Sequence, residues 1–280
     1  ICAKFLKDNN VVYKPNEICI GTGAKQPLVN AVLALCEEGD EVIIPTPCWV
    51  SYIEMVKLSG ATPVLVQNRE EDGFALNVEG IKKAITPKTK AIMINTPNNP
   101  TGAVYTKEQL TELAELACKH DFYIISDEVY EKLIYEGKKH FCVASISEEV
   151  KDRTVVINGV SKAYSMTGWR LGYVIAPPEV IDRVKKIHDF LTVGAAAPLM
   201  EAATVGLLFP DSYYEELQAH YTHMKNLFVN GLKDIGLQFT EPQGAYYVLV
   251  DIGEFGYDSD LVFCENLAAK VGVGAVPGSS

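Results

Sequence analysis

The chain has 280 residues, 48% of them apolar, and 25 Lys and Arg set against 36 Asp and Glu give a formal net charge of −11. That is enough apolar material for one large domain plus a smaller one, while the acidic balance, with no basic stripe, excludes general attraction to nucleic acid or to an anionic membrane. No apolar run approaches the roughly 18 residues needed to cross a bilayer. The seven cysteines, Cys2, Cys19, Cys36, Cys48, Cys118, Cys142 and Cys264, are scattered without a C-x-x-C pair. They read as reduced thiols of a soluble cytoplasmic protein, and neither as a disulfide frame nor as a zinc site.

In chain order, a helix is expected at Cys2–Asp8, then a short strand at Glu17–Ile20 entering the turn Gly21-Thr22-Gly23-Ala24-Lys25-Gln26. Leu28, Val29, Val32, Leu33 and Leu35 give the next helix an apolar face, with Pro27 tolerated in its first turn. A glycine-rich turn at a helix N-terminus presents unpaired N–H groups and the positive end of the dipole, which suits a phosphate. Alone it is weak, because such turns also serve packing. A strand at Glu41–Pro45 leads into Thr46-Pro47-Cys48-Trp49, and taken alone Trp49 reads as a core aromatic.

A strand at Thr62–Val66, a helix from Asn77 to Ile85 and a strand at Lys90–Ile94 follow, ending in Asn95-Thr96-Pro97-Asn98-Asn99-Pro100-Thr101-Gly102, whose plain reading is a turn. Thr106 and Gln109 form a capping box for a helix with Leu110, Leu113, Ala114 and Ala117 on one face. A buried strand at Phe122–Ser126 ends in Asp127-Glu128-Val129-Tyr130. Asp127 either caps a following helix or stands where open α/β sheets bind ligands; Tyr130, three residues on, shares its side of a first helical turn.

Thr154–Ile157 is a further strand, and the loop after it runs Asn158-Gly159-Val160-Ser161-Lys162-Ala163-Tyr164-Ser165-Met166-Thr167-Gly168-Trp169-Arg170. Lys162 is suited to condense with an aldehyde, and Arg170 to hold an anionic group through its planar fork of donors. A lone lysine is far more often a solvated surface charge. Beyond it come a strand at Tyr173–Ala176, a helix from Pro177-Pro178 with Val180, Ile181, Val184 and Ile187 on one face, a long amphipathic helix at Ser212–Asp234, a strand at Gly244–Val250 and a helix at Asp260–Val271. His220 and His223 on the long helix lack a nearby third ligand and read as a polar face, so no metal is assigned. Alternating βαβα elements with unbroken apolar strands predict an α/β fold with a mainly parallel sheet between helical layers.

The run from Ser161-Lys162 to Gly168 and Arg170 resembles the S-K-x-x-x-x-x-G-x-R signature of class I aminotransferases, pyridoxal 5′-phosphate (PLP) enzymes of fold type I. The G-x-K-Q of Gly23, Lys25 and Gln26, the N-P-T-G of Asn99–Gly102 and Asp127 with Tyr130 match in the expected order. The resemblance covers essentially the whole chain, and G-x-K-Q is similar to the branch that holds bacterial and archaeal aspartate aminotransferases. It implies a three-layer α/β/α domain around a seven-stranded sheet over residues 1–210. A connecting helix and a partial smaller α+β domain then occupy residues 211–280.

It further implies that Lys162 bonds the cofactor and shuttles the proton, that Asp127 pairs with the pyridinium nitrogen, and that Asn99 and Tyr130 reach the phenolic oxygen. Trp49 would stack on the ring, with Gly23, Ala24, Lys25 and Arg170 anchoring the phosphate. Trp49, Asn99 and Lys25 would also touch substrate, Lys25 through the distal carboxylate of an acidic amino acid. Many relatives carry Ser three residues before the lysine; here that place is Gly159, and Ser161 is the candidate substitute. Thr46-Pro47 and Asn99-Pro100 are expected to be cis. The activity implied is double-displacement transfer of an amino group between an L-amino acid, aspartate or glutamate favoured, and a 2-oxo acid, by a homodimer. An aromatic or alanine aminotransferase, a PLP β-lyase and a non-catalytic sensor domain are the alternatives. The chain starts without Met inside a helical stretch and stops at Val276-Pro277-Gly278-Ser279-Ser280, so both ends read as cut. The resemblance places the α-carboxylate arginine beyond Ser280, and the 280-residue chain is expected to bind PLP poorly and turn over little.

Overall fold

The computed structural model describes residues 1–135 and 137–279. Seven strands, β1 (Ile18–Thr22), β2 (Glu41–Thr46), β3 (Thr62–Gln67), β4 (Thr89–Asn95), β5 (Tyr123–Asp127), β6 (Thr154–Gly159) and β7 (Leu171–Ile175), form one sheet in the order β1-β7-β6-β5-β4-β2-β3. β7 runs antiparallel to both its neighbours, and every other pairing is parallel. The mainly parallel sheet expected from the alternation is therefore present, with one reversed strand.

The helices are α1 (Cys2–Asn9), α2 (Lys25–Leu35), α3 (Ser51–Leu58), α4 (Val78–Ala84), α5 (Lys107–His120), α6 (Glu148–Lys151), α7 (Pro178–Thr192), α8 (Ala197–Leu207), α9 (Asp211–Asp234) and α10 (Asp260–Val271). They cover both faces because successive strand residues point to opposite sides. On β4, Ala91 and Met93 meet Leu28 and Val32 of α2, Tyr52 of α3 and Ile181 of α7 in one core cluster. Ile92 and Ile94 meet Ile81 of α4 with Leu110 and Leu113 of α5 in another. Phe5 of α1 packs with Val156, Tyr173 and Ile175 at the β6–β7 side. The capping box predicted for α5 is formed on both sides, by Thr106 and Gln109.

Three expectations need correction. Gly244–Val250 is not a strand: it makes only isolated bridges, Ile134 with Gly244 and Phe239 with Val250, and Ala245 has a φ of 59°. Its backbone bonds go instead to separate partners, since Gly244 N–H donates to Gly102 O at 2.9 Å and Ala245 N–H to Leu133 O at 2.8 Å. No helix follows Asp127 either; residues 129–132 are turns, so Tyr130 is placed by a turn. Lastly, α3, α6 and α8 form where no helix was foreseen. The mean apolarity of α8 is high on all sides and Gly206 interrupts it, so a 3.6-residue stripe is hard to discern.

The carboxyl ends of β2, β4, β5 and β6 gather at one rim of the sheet, where the loops carrying Trp49, Asn99, Asp127 and Lys162 emerge. Such a rim is where open α/β sheets take their ligands.

Candidate active site

Asp127 is the last residue of β5, paired with Asn95 of β4 and Ile157 of β6, and it is 5% exposed. Burial pushes its carboxyl up to about 6, although the Tyr52 hydroxyl at 2.8 Å and the Val129 N–H at 3.3 Å both favour the ionised form. Its backbone is held as firmly: Asn95 Nδ2 donates to Asp127 O at 2.9 Å, and Asn95 Oδ1 accepts the Asn99 N–H at 2.7 Å. One asparagine therefore aligns the acid and the N-P-T-G turn with respect to each other. Asn95 and Tyr52 were not singled out from the sequence. Asn95 closes an apolar strand at the same rim as Asp127, a signal that was available, whereas Tyr52 looks like any aromatic on a helical face.

Lys162 lies in the turn after β6. Its Nζ contacts the Tyr246 hydroxyl and lies 5.3 Å from the centroid of the Tyr130 ring. Tyr130 in turn exchanges a hydrogen bond of 2.8 Å with the Tyr247 hydroxyl. Neither Tyr246 nor Tyr247 was expected here.

Arg170, with a left-handed φ of 54°, donates from Nη1 to Thr167 O at 2.8 Å and turns its guanidinium over Gly23. A Cβ at Gly23, whose φ is +67°, would lie 2.2 Å from Arg170 Nη2. A Cβ at Gly172 would lie 2.3 Å from Ala24 N. Both glycines thus let the turn before α2 settle against β7 and the guanidinium. The first N–H groups of a helix have no partner within it, and here they converge with a cation. This is an anion cradle. Gly23→Ala should lower the affinity for a phosphate group at this turn by roughly tenfold or more, because it adds both the collision and a strained backbone; phosphate titration of the purified chain, with folding monitored by circular dichroism, measures it.

These groups surround a cavity of about 190 Å³. Ala24, Lys25, Trp49, Asn99, Asp127, Tyr130, Ser161, Lys162 and Arg170 all line it, and Gly23 sits behind the guanidinium. Lys25 Nζ stands 4.7 Å above the Trp49 ring, and the Ser161 carbonyl accepts a hydrogen bond from Thr167 Oγ1 at 3.0 Å. Tyr52, Asn95, Val129, Thr167 and Tyr247 complete the lining without having been foreseen. Thr46-Pro47 and Asn99-Pro100 are cis as expected, and Thr96-Pro97 is as well.

A mixed seven-stranded sheet with a buried acid, a reachable amine and an anion cradle at its carboxyl rim is the architecture of the fold type I transferases. The family model for aminotransferase class I and II matches residues 1–280, and the chain belongs to that family and is an aminotransferase. An aspartate aminotransferase of Bacillus sp. (strain YM-2) is 43% identical over 284 residues, spanning 100% of this chain and 72% of that enzyme. A single mutant of the Thermus thermophilus aspartate aminotransferase matches in structure with a TM-score of 0.94 at 39% identity, over 99% of this chain and 72% of that one. An aromatic aminotransferase from Pyrococcus horikoshii OT3 matches with a TM-score of 0.94, also at 39% identity, over 99% of this chain and 75% of that one.

Proposed function

We propose that this aminotransferase uses pyridoxal 5′-phosphate and takes aspartate or glutamate as amino donor, with a 2-oxo acid as acceptor. The observation that carries the reading is that Lys162 and Asp127 line one cavity beside the Gly23–Arg170 cradle. The residues fit the cofactor: the cradle suits its phosphate, the buried carboxylate suits a cationic ring nitrogen, the Trp49 ring suits a flat face, and the amine suits an aldehyde.

When bound, the cofactor supplies a carbonyl carbon that captures amines and a cationic ring that withdraws electrons from the substrate Cα. Asp127 would keep the proton on the ring nitrogen, since a cation facing a buried carboxylate is stabilised there. Arg170 and the N–H groups of Ala24 and Lys25 would hold the phosphate, with Ser161, which lines the same cavity, as an added donor. Asn99 and Tyr130 would orient the phenolic oxygen, and Trp49 would cover the ring. With the cofactor bound, Lys162 Nζ would be the base placed to move the proton of the substrate Cα.

With pyridoxal 5′-phosphate added to saturation, a borohydride-sensitive visible band, with the reduced label mapped to the peptide holding Lys162, is the expected result; a label elsewhere, or no such band, would sink the reading. Transamination must yield a 2-oxo acid from the donor, whereas pyruvate with free ammonia would mark a β-lyase. The Lys25 ammonium, on the cavity wall over Trp49, supports the dicarboxylic donor. Lys25→Ala should raise KM for aspartate about tenfold, the size of one charged hydrogen bond, and leave KM for alanine unchanged. An equal loss for both donors removes the argument. The Tyr130, Tyr246 and Tyr247 rings beside Lys162 favour an aromatic donor as the second reading.

The division into a cofactor-binding domain over residues 1–210 and a smaller one over 211–280 belongs to the same proposal, supported by the start of α9 at Asp211. A homodimer is proposed from the resemblance and from large apolar side chains left exposed at the end of α7 and on α8, Phe190 and Val205 among them. Seven free thiols among the described residues support a reducing, cytoplasmic setting. Among the described residues no helix is long and apolar enough to cross a membrane.

A further inference from the structure

Tyr246 is the residue of the site with the least explained position. It stands 84 residues from Lys162 in sequence, yet its hydroxyl contacts Lys162 Nζ, and its ring centroid lies 5.0 Å from the same nitrogen. The backbone that presents it is tightly constrained. A Cβ at Gly244 would lie 2.8 Å from both Leu133 O and Pro97 Cβ, Ala245 is fully buried with its N–H on Leu133 O, and the Tyr135 hydroxyl donates to Ala245 O.

The ring of Tyr246 is fixed as well, edge-on to Tyr130 at 5.3 Å, tilted against Tyr247 at 4.8 Å and stacked on Tyr221 of α9 at 6.1 Å. Lys162, Tyr130, Tyr247 and Tyr221 are the titratable groups that face it. Although Tyr246 is 41% exposed, these four partners keep its hydroxyl on one amine.

We propose that Tyr246 is a catalytic partner of Lys162, its hydroxyl holding the amine whenever the lysine is not covalently engaged and exchanging one proton with it. The exchange is balanced within the pair: the Oη–H bond breaks as the Nζ–H bond forms, giving phenolate and ammonium, and the reverse restores phenol and neutral amine. Only the neutral amine has a lone pair to attack a carbonyl or to accept the Cα proton. Return of the proton to Tyr246 therefore readies Lys162 within the cavity, and the phenolate keeps the ammonium from drifting to solvent. The proposal rests on the cofactor reading above for its place in the reaction, but the contact itself does not.

Electrostatics agree with the geometry. Burial raises the Tyr246 phenol, but the hydrogen bond and charge of Lys162, with bonds from Tyr130 and Tyr247, outweigh it and bring the net shift down. Burial instead raises Tyr52, Tyr105, Tyr164 and Tyr173, and carries Tyr247 to about 12. A tyrosine that ionises early is thus separable from these.

The test follows tyrosinate absorbance against pH in the full chain without added cofactor, for the parent, Tyr246→Phe and Lys162→Met. One tyrosine should ionise below the ordinary phenol range in the parent, the step should vanish in Tyr246→Phe, and it should move to higher pH in Lys162→Met. Competitive amine labelling read by mass spectrometry should show Lys162 reacting roughly threefold faster or more in Tyr246→Phe near neutral pH, as the amine is released from the hydroxyl that holds it. A step that survives in Tyr246→Phe, that does not move in Lys162→Met, or a labelling rate left unchanged overturns the proposal. Borohydride mapping to Lys162 is independent of all three outcomes, so failure here and failure of the cofactor assignment are distinguishable.

Discussion

Lys162→Ala is expected to lower kcat for transamination by on the order of 10⁴-fold and to abolish borohydride-dependent labelling, while the protein stays folded. The magnitude follows from removing a positioned base, which contributes up to about 10⁴-fold, and with it the covalent link. Cofactor should still bind, because the Gly23–Arg170 cradle and Asp127 do not depend on the lysine for position: Asp127 is held by Tyr52, Val129 and Asn95, and Arg170 by Thr167. Stopped-flow absorbance with aspartate, and equilibrium dialysis of the cofactor, measure the two halves. A variant that kept a tenth of the parent kcat would show that another group moves the proton.

Asp127→Asn should cost on the order of 10³-fold in kcat, the usual size for one electrostatic contact to developing charge, and should also change stability in a pH-dependent way. Burial raises the Asp127 carboxyl to about 6 from 3.8, so the folded chain holds this proton more tightly than the unfolded chain. The stability it lends is complete below the unfolded value and falls as pH rises through the window from 3.8 to about 6, after which the deficit is constant. The deficit amounts to about 3 kcal/mol at neutral pH. The asparagine variant has no such ionisation. Without cofactor it should therefore gain on the parent by about 3 kcal/mol between pH 4 and pH 8. Urea unfolding of both proteins across that range tests this, and a stability difference that stays flat with pH would contradict it. A buried acid kept at the expense of stability is what a catalytic role predicts.

Much of the candidate site could be read from the chain because the groups proposed for it sit in short motifs. Ser161-Lys162, Asn99-Pro100-Thr101-Gly102 and Asp127 each follow an apolar strand, and strand ends at one rim of a parallel sheet are brought together by the fold itself. The G-x-G turn marked the cradle for the same reason: it joins a strand to a helix N-terminus. The direction of β7 was not legible, since five buried residues in a row look alike whichever way the strand runs. Nor was the course of Gly244–Val250, where an apolar aromatic run mimics a strand while its hydrogen bonds go to Gly102 and Leu133.

The identity of the candidate groups, amine, acid and guanidinium, was therefore a property of the sequence, because local motif and strand period determine which side chains reach the rim. The electrical state of those groups was decided only by tertiary structure. Tyr52 meets Asp127 across 75 residues of chain and Tyr246 meets Lys162 across 84, and it is burial together with such distant partners that lifts the acid and supplies the amine with a phenol. Desolvation and Coulomb interaction depend on distance in space, which residue spacing along the chain does not encode.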